Sequence, residues 1–180
     1  MQIGLACLIF AISSTVASTS VEADGGVVVA KGARFLAEVA RTPAERAKGL
    51  MYRQTLKQSM CMFFVYDYDD FRSIWMKNCL ISLDVAWIAE DGTVVEIVER
   101  VPPCSPMLGD GCPSYGGNVE SRYFIEFAAG TFKRIGLKVG DKISWELKFS
   151  NGGSSKGGPP ISDKPDSPPS KKSTSTAAAK

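Results

Sequence analysis

Alternating hydrophobic and polar residues in several short runs predict a protein built mainly from β-strands. The clearest run covers residues 142–149, where Ile, Trp, Leu and Phe alternate with Lys, Ser, Glu and Lys, as in a strand with one buried face. An Asp-Gly pair between the runs 83–89 and 93–101 indicates a tight hairpin. Further apolar runs predict strands at 27–29, 35–40, 60–66, 72–78 and 123–127.

One helix is expected in the N-terminal half of the chain. Thr42 stands before Pro43 and three positions before Glu45, which is the pattern of a capping box with proline in the first helical position. The helix should end near Gly49, and residues 130–135 predict a single further helical turn. About seven short strands and one helix predict a mostly β (α+β) fold, a small closed or half-closed β-barrel or sandwich.

The two ends of the chain differ in composition from the middle. A nearly uncharged apolar stretch is followed by small residues at Ser18 and Ala23, so residues 1–23 are expected to be a secretory signal peptide cleaved near one of them. Residues 151–180 are rich in Gly, Pro, Ser and Lys and are expected to be a disordered tail. A single domain at 24–150, secreted or periplasmic and without a transmembrane segment after cleavage, is therefore predicted.

Charge and composition narrow the classes of function. Residues 24–150 contain as many basic as acidic residues, and a neutral domain without a basic stripe is poor evidence for nucleic-acid binding. The chain contains no histidine, which removes the commonest general base at neutral pH. Catalysis by Ser-His-Asp or Cys-His groups within the chain is therefore excluded.

Four cysteines lie in the expected domain, namely Cys61, Cys79, Cys104 and Cys112. An even number in an exported chain suggests disulfides, and four cysteines allow three pairings. We favour a bond from Cys104 to Cys112 across a short Pro/Gly-rich loop, with Cys61 joined to Cys79 between two strands. A different interpretation is a redox or soft-metal protein that uses the Cys61 and Cys79 thiols. The spacing lacks the close cysteine pairs of structural zinc sites, and no resident metal or cofactor is expected.

Several sequence blocks occur in the order and spacing of a known family. They are RTPAERAKGLMYR at 41–53, MFFVY at 62–66, IWMKN at 74–78, Leu-Asp at 83–84, Pro-Ser-Tyr at 113–115, FIEFAAG at 124–130 and Val-Gly-Asp at 139–141. Over about residues 35–147 the chain resembles the family catalogued as domain of unknown function 192. This resemblance implies a small, mostly β domain that is often exported in bacteria and archaea and has no established activity. Cys61 and Cys79 replace the family's usual Gly and Thr, and this shared departure supports pairing them.

Polar side chains among large apolar residues mark a candidate ligand site. Burying a polar group costs about 1–3 kcal/mol unless it is paired, so such residues need an explanation. One explanation is structural: Asp84 forms an ion pair with Lys77 or Arg53, and Asn78 caps a turn. The other is a pocket with Trp75 as its floor, closed by the loop 102–122, that holds a small polar ligand or an envelope glycan. The ligand-binding candidates are Arg53, Trp75, Lys77, Asn78, Asp84, Tyr115 and Glu126.

These candidate residues are compatible with two functions. The preferred one is a non-catalytic exported binding or accessory module. The alternative is an enzyme acting on envelope carbohydrate, with Asp84 and Glu126 as its acid–base pair. That enzyme requires both carboxyl groups on the same side of the core.

Overall fold

The computed structural model describes residues 23–161. The predicted signal peptide, apart from its last position, and most of the predicted tail lie outside these residues. The strands are β1 (Gly25–Ala30), β2 (Ala33–Ala40), β3 (Met60–Asp70), β4 (Ile74–Trp75), β5 (Leu83–Ile88), β6 (Val94–Val101), β7 (Ser114–Tyr115), β8 (Ser121–Ala128), β9 (Ile143–Lys148) and β10 (Ser154–Gly157). The helices are α1 (Pro43–Lys48), α2 (Thr131–Ile135) and a 3₁₀ turn at Pro106–Gly111.

Eight strands form one curled sheet in the order β10-β9-β1-β2-β3-β8-β5-β6, and β4 pairs with β7 separately. The parallel step from β2 to β3 contains α1, whose N-terminus has the predicted capping box at Thr42 and Glu45. At one end the sheet nearly closes, because Val94 N–H donates to the Asp141 carbonyl at 2.9 Å and Ile143 N–H to the Gly92 carbonyl at 2.9 Å. The fold is thus mostly β with a half-barrel sheet and short helices, which confirms the predicted fold class.

Both faces of the central strands β3, β5 and β8 are covered. Along β3, Cys61 and Phe63 point to one side and Met62 and Phe64 to the other. We call the first side the barrel core; it contains Phe35, Phe63, Phe127, Phe132 and Trp145. We call the second side the outer core; it contains Leu50, Phe64, Met76, Trp87 and Phe124. The outer core lies beneath α1 and the segments that carry β4 and β7.

The buried carboxylate of Asp84 has a structural role on the barrel-core side. One of its oxygens accepts from the Arg100 backbone N–H at 2.8 Å, and the other accepts from the Phe132 N–H in the first turn of α2 at 2.9 Å. Arg100 has a φ of 52°, at an irregularity in the pairing of β5 with β6. The predicted ion pair of Asp84 with Lys77 or Arg53 is therefore wrong, because backbone donors satisfy the carboxylate.

The folded region extends past the expected domain boundary at residue 150. Strand β10 pairs antiparallel with β9, and the Trp145 indole N–H donates to the Ser155 hydroxyl at 3.1 Å. A Cβ at Gly157 would overlap the Trp145 ring, so glycine allows the close approach. Few apolar side chains mark this strand in the sequence, because its contacts come from its backbone and from the large side chain of its neighbour.

The cysteines confirm one predicted pairing and exclude the other. Cys104 and Cys112 form a disulfide that closes the loop around the 3₁₀ turn. Cys61 and Cys79 are free and buried, and the sheet separates them, since Cys61 lies in the barrel core and Cys79 in the outer core. The predicted Cys61–Cys79 bond is therefore wrong, and the two thiols cannot act together as a redox pair or a metal site.

Replacing Asp84 with alanine should lower the free energy of unfolding by roughly 1–3 kcal/mol for each of the two backbone donors left without an acceptor. Urea denaturation of wild type and Asp84→Ala measures this loss. The matched control is Asp110→Ala, which removes an exposed carboxylate and should leave the free energy of unfolding nearly unchanged. Equal losses in the two variants would contradict the role given to Asp84.

Removing the disulfide with Cys104→Ser and Cys112→Ser together should lower the free energy of unfolding by about 2–3 kcal/mol, because the bond closes a short loop of the unfolded chain. Denaturant titration of the double variant checks the magnitude. Peptide mapping without reductant provides the control: after denaturation, Cys61 and Cys79 should carry the alkylating reagent, and the Cys104 and Cys112 peptides should remain linked. Alkylated Cys104, or a linked Cys61 and Cys79, would overturn the assignment.

Candidate functional site

A small open pocket lies on the outer-core side, between α1 with its following turn and the segment that carries β4. Its volume is about 130 Å³. Most of its wall is apolar or aromatic, formed by Leu50, Met51, Phe64, Ile74, Trp75 and Phe124. The titratable side chains that line it are Arg46, Lys48, Tyr66, Cys79 and Glu126. A concave apolar site with a few polar groups is the usual form of a small-molecule pocket.

Glu126 is the unusual member of this set. It lies on β8 between Met62 of β3 and Val85 of β5 in the register of the sheet, so its side chain emerges on the outer-core face. It is only 7% exposed and forms no hydrogen bond or ion pair with any residue in 23–161. Burial in this apolar setting raises the pKa of the carboxyl group to about 8. The group is therefore mostly uncharged at neutral pH.

Two other titratable groups of the pocket are also uncharged near neutral pH. Burial, and then the nearby Glu126 carboxyl, raise the pKa of the Cys79 thiol to about 11. Burial raises the pKa of the Tyr66 phenol above its ordinary value as well. Neither group therefore adds a negative charge beside Glu126 near neutral pH.

Two basic residues of α1 stand at the rim of the pocket. The guanidinium of Arg46 lies 4.5 Å from the centroid of the Tyr66 ring, and it donates to the carbonyls of Arg41 and Val65. These contacts fix the position of the guanidinium. Lys48 is exposed and forms no ion pair within the described part of the chain. The rim is therefore positive, whereas the interior contains an uncharged acid.

Trp75 joins the pocket to the disulfide loop. The residue is 43% exposed and lines the pocket, and the Lys77 ammonium lies 5.0 Å from the centroid of its ring. Lys77 also pairs with Asp110 in the 3₁₀ turn. The disulfide-closed loop is thereby fastened beside the tryptophan without lining the pocket itself, which corrects the expectation that residues 102–122 close the site.

The structure separates the seven predicted binding residues. Trp75 and Glu126 line the pocket, and Lys77 lies against Trp75. The other four lie elsewhere for identifiable reasons. Arg53 forms a bidentate pair with Glu38, and Asp84 is held by backbone donors. Asn78 donates to the Met51 sulfur at 3.7 Å, and Tyr115 pairs with Ile74 across the small sheet.

The predicted strand at 72–78 is too long, which explains part of this outcome. Strand pairing ends at Trp75, and Asn78 has a φ of 57°, so the chain turns instead of continuing to alternate. Cys79 is consequently buried in the outer core, although alternation would place it on the same face as the exposed Trp75. Arg46 and Lys48, which also line the pocket, are not among the residues predicted from the sequence. Their position in the sequence block 41–53, on a helix without buried residues, could have indicated that they are surface residues with a role outside the core.

The carbohydrate-active pair is excluded by strand geometry. Asp84 pairs with Phe127 in the register and faces the barrel core, whereas Glu126 pairs with Val85 and faces the outer core. A sheet lies between the two carboxyl groups, so they cannot act on one glycosidic bond. Within residues 23–161, no group of three or more Cys, Asp or Glu side chains is placed to hold a metal ion. None of the helices in that part of the chain has the length and apolar character needed to cross a membrane.

The raised pKa of Glu126 should make stability depend on pH. The folded state retains this proton from the carboxyl's ordinary value of 4.5 up to about 8, whereas the unfolded state has already lost it. The free energy of unfolding should therefore fall as pH rises through this window, by up to roughly 1.4 kcal/mol per pH unit. Urea denaturation at pH 5 to 8 should show that Glu126→Gln removes this slope, whereas the exposed control Glu120→Gln retains it. A wild-type slope that survives in Glu126→Gln would contradict the assignment.

Solved structures similar to this chain come from two bacteria. One, from Sinorhizobium meliloti 1021, is described as a putative transcription regulator; it is 30% identical, has a TM-score of 0.59, and the match covers 68% of this chain and 94% of that one. The other is a protein of unknown function from Novosphingobium aromaticivorans DSM 12444; it is 30% identical, has a TM-score of 0.58, and the match covers 67% and 84%. Each of these matches covers about two thirds of this chain.

The sequence also matches a family model. The model for domain of unknown function 192, described as "Uncharacterized ACR", matches residues 26–145. No curated protein matches the chain. The matched residues run from β1 into β9 and include every residue that lines the pocket. The chain therefore belongs to the domain of unknown function 192 family.

Proposed function

We propose that this protein is an exported, non-catalytic binding module and that the pocket around Glu126 takes a small polar ligand. The pocket volume of about 130 Å³ is close to that of an engineered cavity of about 150 Å³ that binds benzene. The occupant is therefore a single small molecule, or the end of a larger one such as an envelope glycan.

The observation that carries the proposal is the unpartnered carboxyl group of Glu126. Folded proteins leave few polar groups without a hydrogen-bond partner, and this one has none among the described residues. Here the group lines an open pocket, so a ligand can supply the partner that the fold does not. The half-exposed Trp75 ring at the same pocket provides an apolar contact surface.

Two observations support export. The apolar N-terminal stretch with small residues near Ser18 and Ala23 has the composition of a signal peptide. The Cys104–Cys112 disulfide is the kind of bond that persists in secreted and periplasmic proteins. A secreted or periplasmic location follows as part of the proposal.

A binding function suits the chemistry of the pocket better than catalysis. The chain has no histidine, and Glu126 has no second carboxyl among the residues that line its pocket. With a pKa near 11, the Cys79 thiol is a weak nucleophile at neutral pH because little of it is thiolate. The Sinorhizobium relative is described as a putative transcription regulator. We do not propose nucleic-acid binding for this chain, because residues 24–150 contain equal numbers of basic and acidic residues.

The proposal predicts ligand-dependent changes confined to the pocket. Two-dimensional NMR of labelled protein, screened against monosaccharides, amino sugars, amino acids and small organic acids, should show shifts at Glu126, Trp75 and Cys79 with at least one compound. Glu126→Gln and Trp75→Ala should weaken that binding, and Glu120→Gln should not. Shifts confined to other surfaces, or none with any compound, would count against a ligand site here.

A further inference from the structure

We propose that the pocket selects a small zwitterion of the amino-acid type, with its ammonium group against Glu126 and its carboxylate against Arg46 and Lys48. This inference rests on the proposed binding function and specifies the class of ligand. The charges on the pocket wall, their positions and the size of the pocket carry it.

The interior of the pocket favours a cationic group. Glu126 is the only acidic residue among the described residues that line the pocket, and no basic side chain within 23–161 pairs with it. A ligand ammonium would donate a hydrogen bond to the carboxylate and would also balance its charge. The Phe64 and Phe124 rings, stacked with centroids 4.2 Å apart, form part of the same wall, and aromatic surfaces attract ammonium groups.

The rim favours an anionic group. Arg46 is held in place by its carbonyl contacts and by the Tyr66 ring, so its guanidinium is ordered before a ligand arrives. Lys48, on the same helix, forms no ion pair within the described residues. A carboxylate is the natural partner of a fixed guanidinium, and Lys48 adds a second positive charge to the lining of the pocket.

A ligand with a single charge would use only half of this arrangement. A simple amine would meet the two cations of the rim, and a simple carboxylate would place its charge beside Glu126 or leave Glu126 unpaired. A molecule that carries both charges can engage the acidic interior and the basic rim together. The volume of about 130 Å³, near the cavity of about 150 Å³ that holds benzene, is large enough for a small amino acid.

This arrangement also determines how affinity should vary with pH. The titratable and charged groups that line the pocket together with Glu126 are Tyr66 from β3, Cys79 from the turn after β4, and Arg46 and Lys48 from α1. The phenol and the thiol have raised pKa values and stay neutral through pH 8, so Glu126 is the group that ionises in this range. An ammonium ligand requires that ionisation, so its affinity should rise about tenfold per pH unit from pH 6 to 7 and level off near 8.

Isothermal titration calorimetry with defined probes tests the inference on the folded protein. The probes are glycine, L-alanine and L-serine as zwitterions, propionate and ethylamine as their single-charge halves, and glucose as a neutral polyol. We expect at least one zwitterion to bind at least about tenfold more tightly than both halves and glucose, with affinity rising with pH. Glu126→Gln should lose about tenfold in affinity together with the pH dependence. Lys48→Ala should weaken zwitterion binding but not ethylamine binding.

The outcomes separate this inference from the function on which it rests. Tight binding of glucose or of another neutral compound, lost in Glu126→Gln and weaker above pH 8, would overturn the zwitterion class and retain the pocket as a ligand site. Binding of ethylamine as tight as that of the zwitterions would remove the role of the rim. If no probe and no compound of the wider NMR screen binds, both proposals fail. Thermal unfolding of each variant shows whether lost binding reflects a lost fold.

Discussion

Burial of both faces of the central strands is the constraint on which this structure depends. Strands β3, β5 and β8 separate the barrel core from the outer core, so each buried residue of these strands faces one apolar layer or the other. A polar side chain at such a position must find a partner or bear the cost of burial. Among the described residues, Asp84 on β5 and Glu126 on β8 are the buried acidic residues. Asp84 has hydrogen-bond partners, whereas Glu126 has none in the described part of the chain.

Asp84 connects three secondary-structure elements through hydrogen bonds. Its two oxygens accept from backbone donors of Arg100 and Phe132, which connects β5 to the irregularity in β6 and to the start of α2. Glu126, on the other face, has no such donors, and burial alone raises the pKa of its carboxyl group. The space beside the Glu126 carboxyl group is an open pocket, whereas the Asp84 carboxylate has backbone N–H donors beside it. One fold thus contains a carboxylate held by backbone donors and a carboxyl group that lines an open pocket without a partner among the described residues.

The covering of the outer core brings distant parts of the chain to this pocket. Helix α1 contributes the basic rim. The turn at Asn78 places Cys79 in the outer core, where it lines the same pocket as Glu126. The disulfide loop is held nearby through the contacts of Lys77 with Asp110 and Trp75. The two free thiols lie on opposite sides of the sheet, which explains why Cys61 and Cys79 do not form a bond.

Much of the fold was determined by the sequence itself. Alternation predicted β9, the Asp-Gly pair predicted the β5–β6 hairpin, and the capping box predicted α1, because each signal depends on residues close together in the chain. The Cys104–Cys112 bond was predictable for the same reason, since only eight positions separate the two cysteines. Trp75 and Glu126 were also identified as site candidates. The tertiary structure alone decided which face each carboxyl group occupies, that Arg53 and Asp84 have other partners, and that Arg46 and Lys48 form the rim. Those outcomes depend on strand register and on contacts between distant segments, which local patterns do not specify.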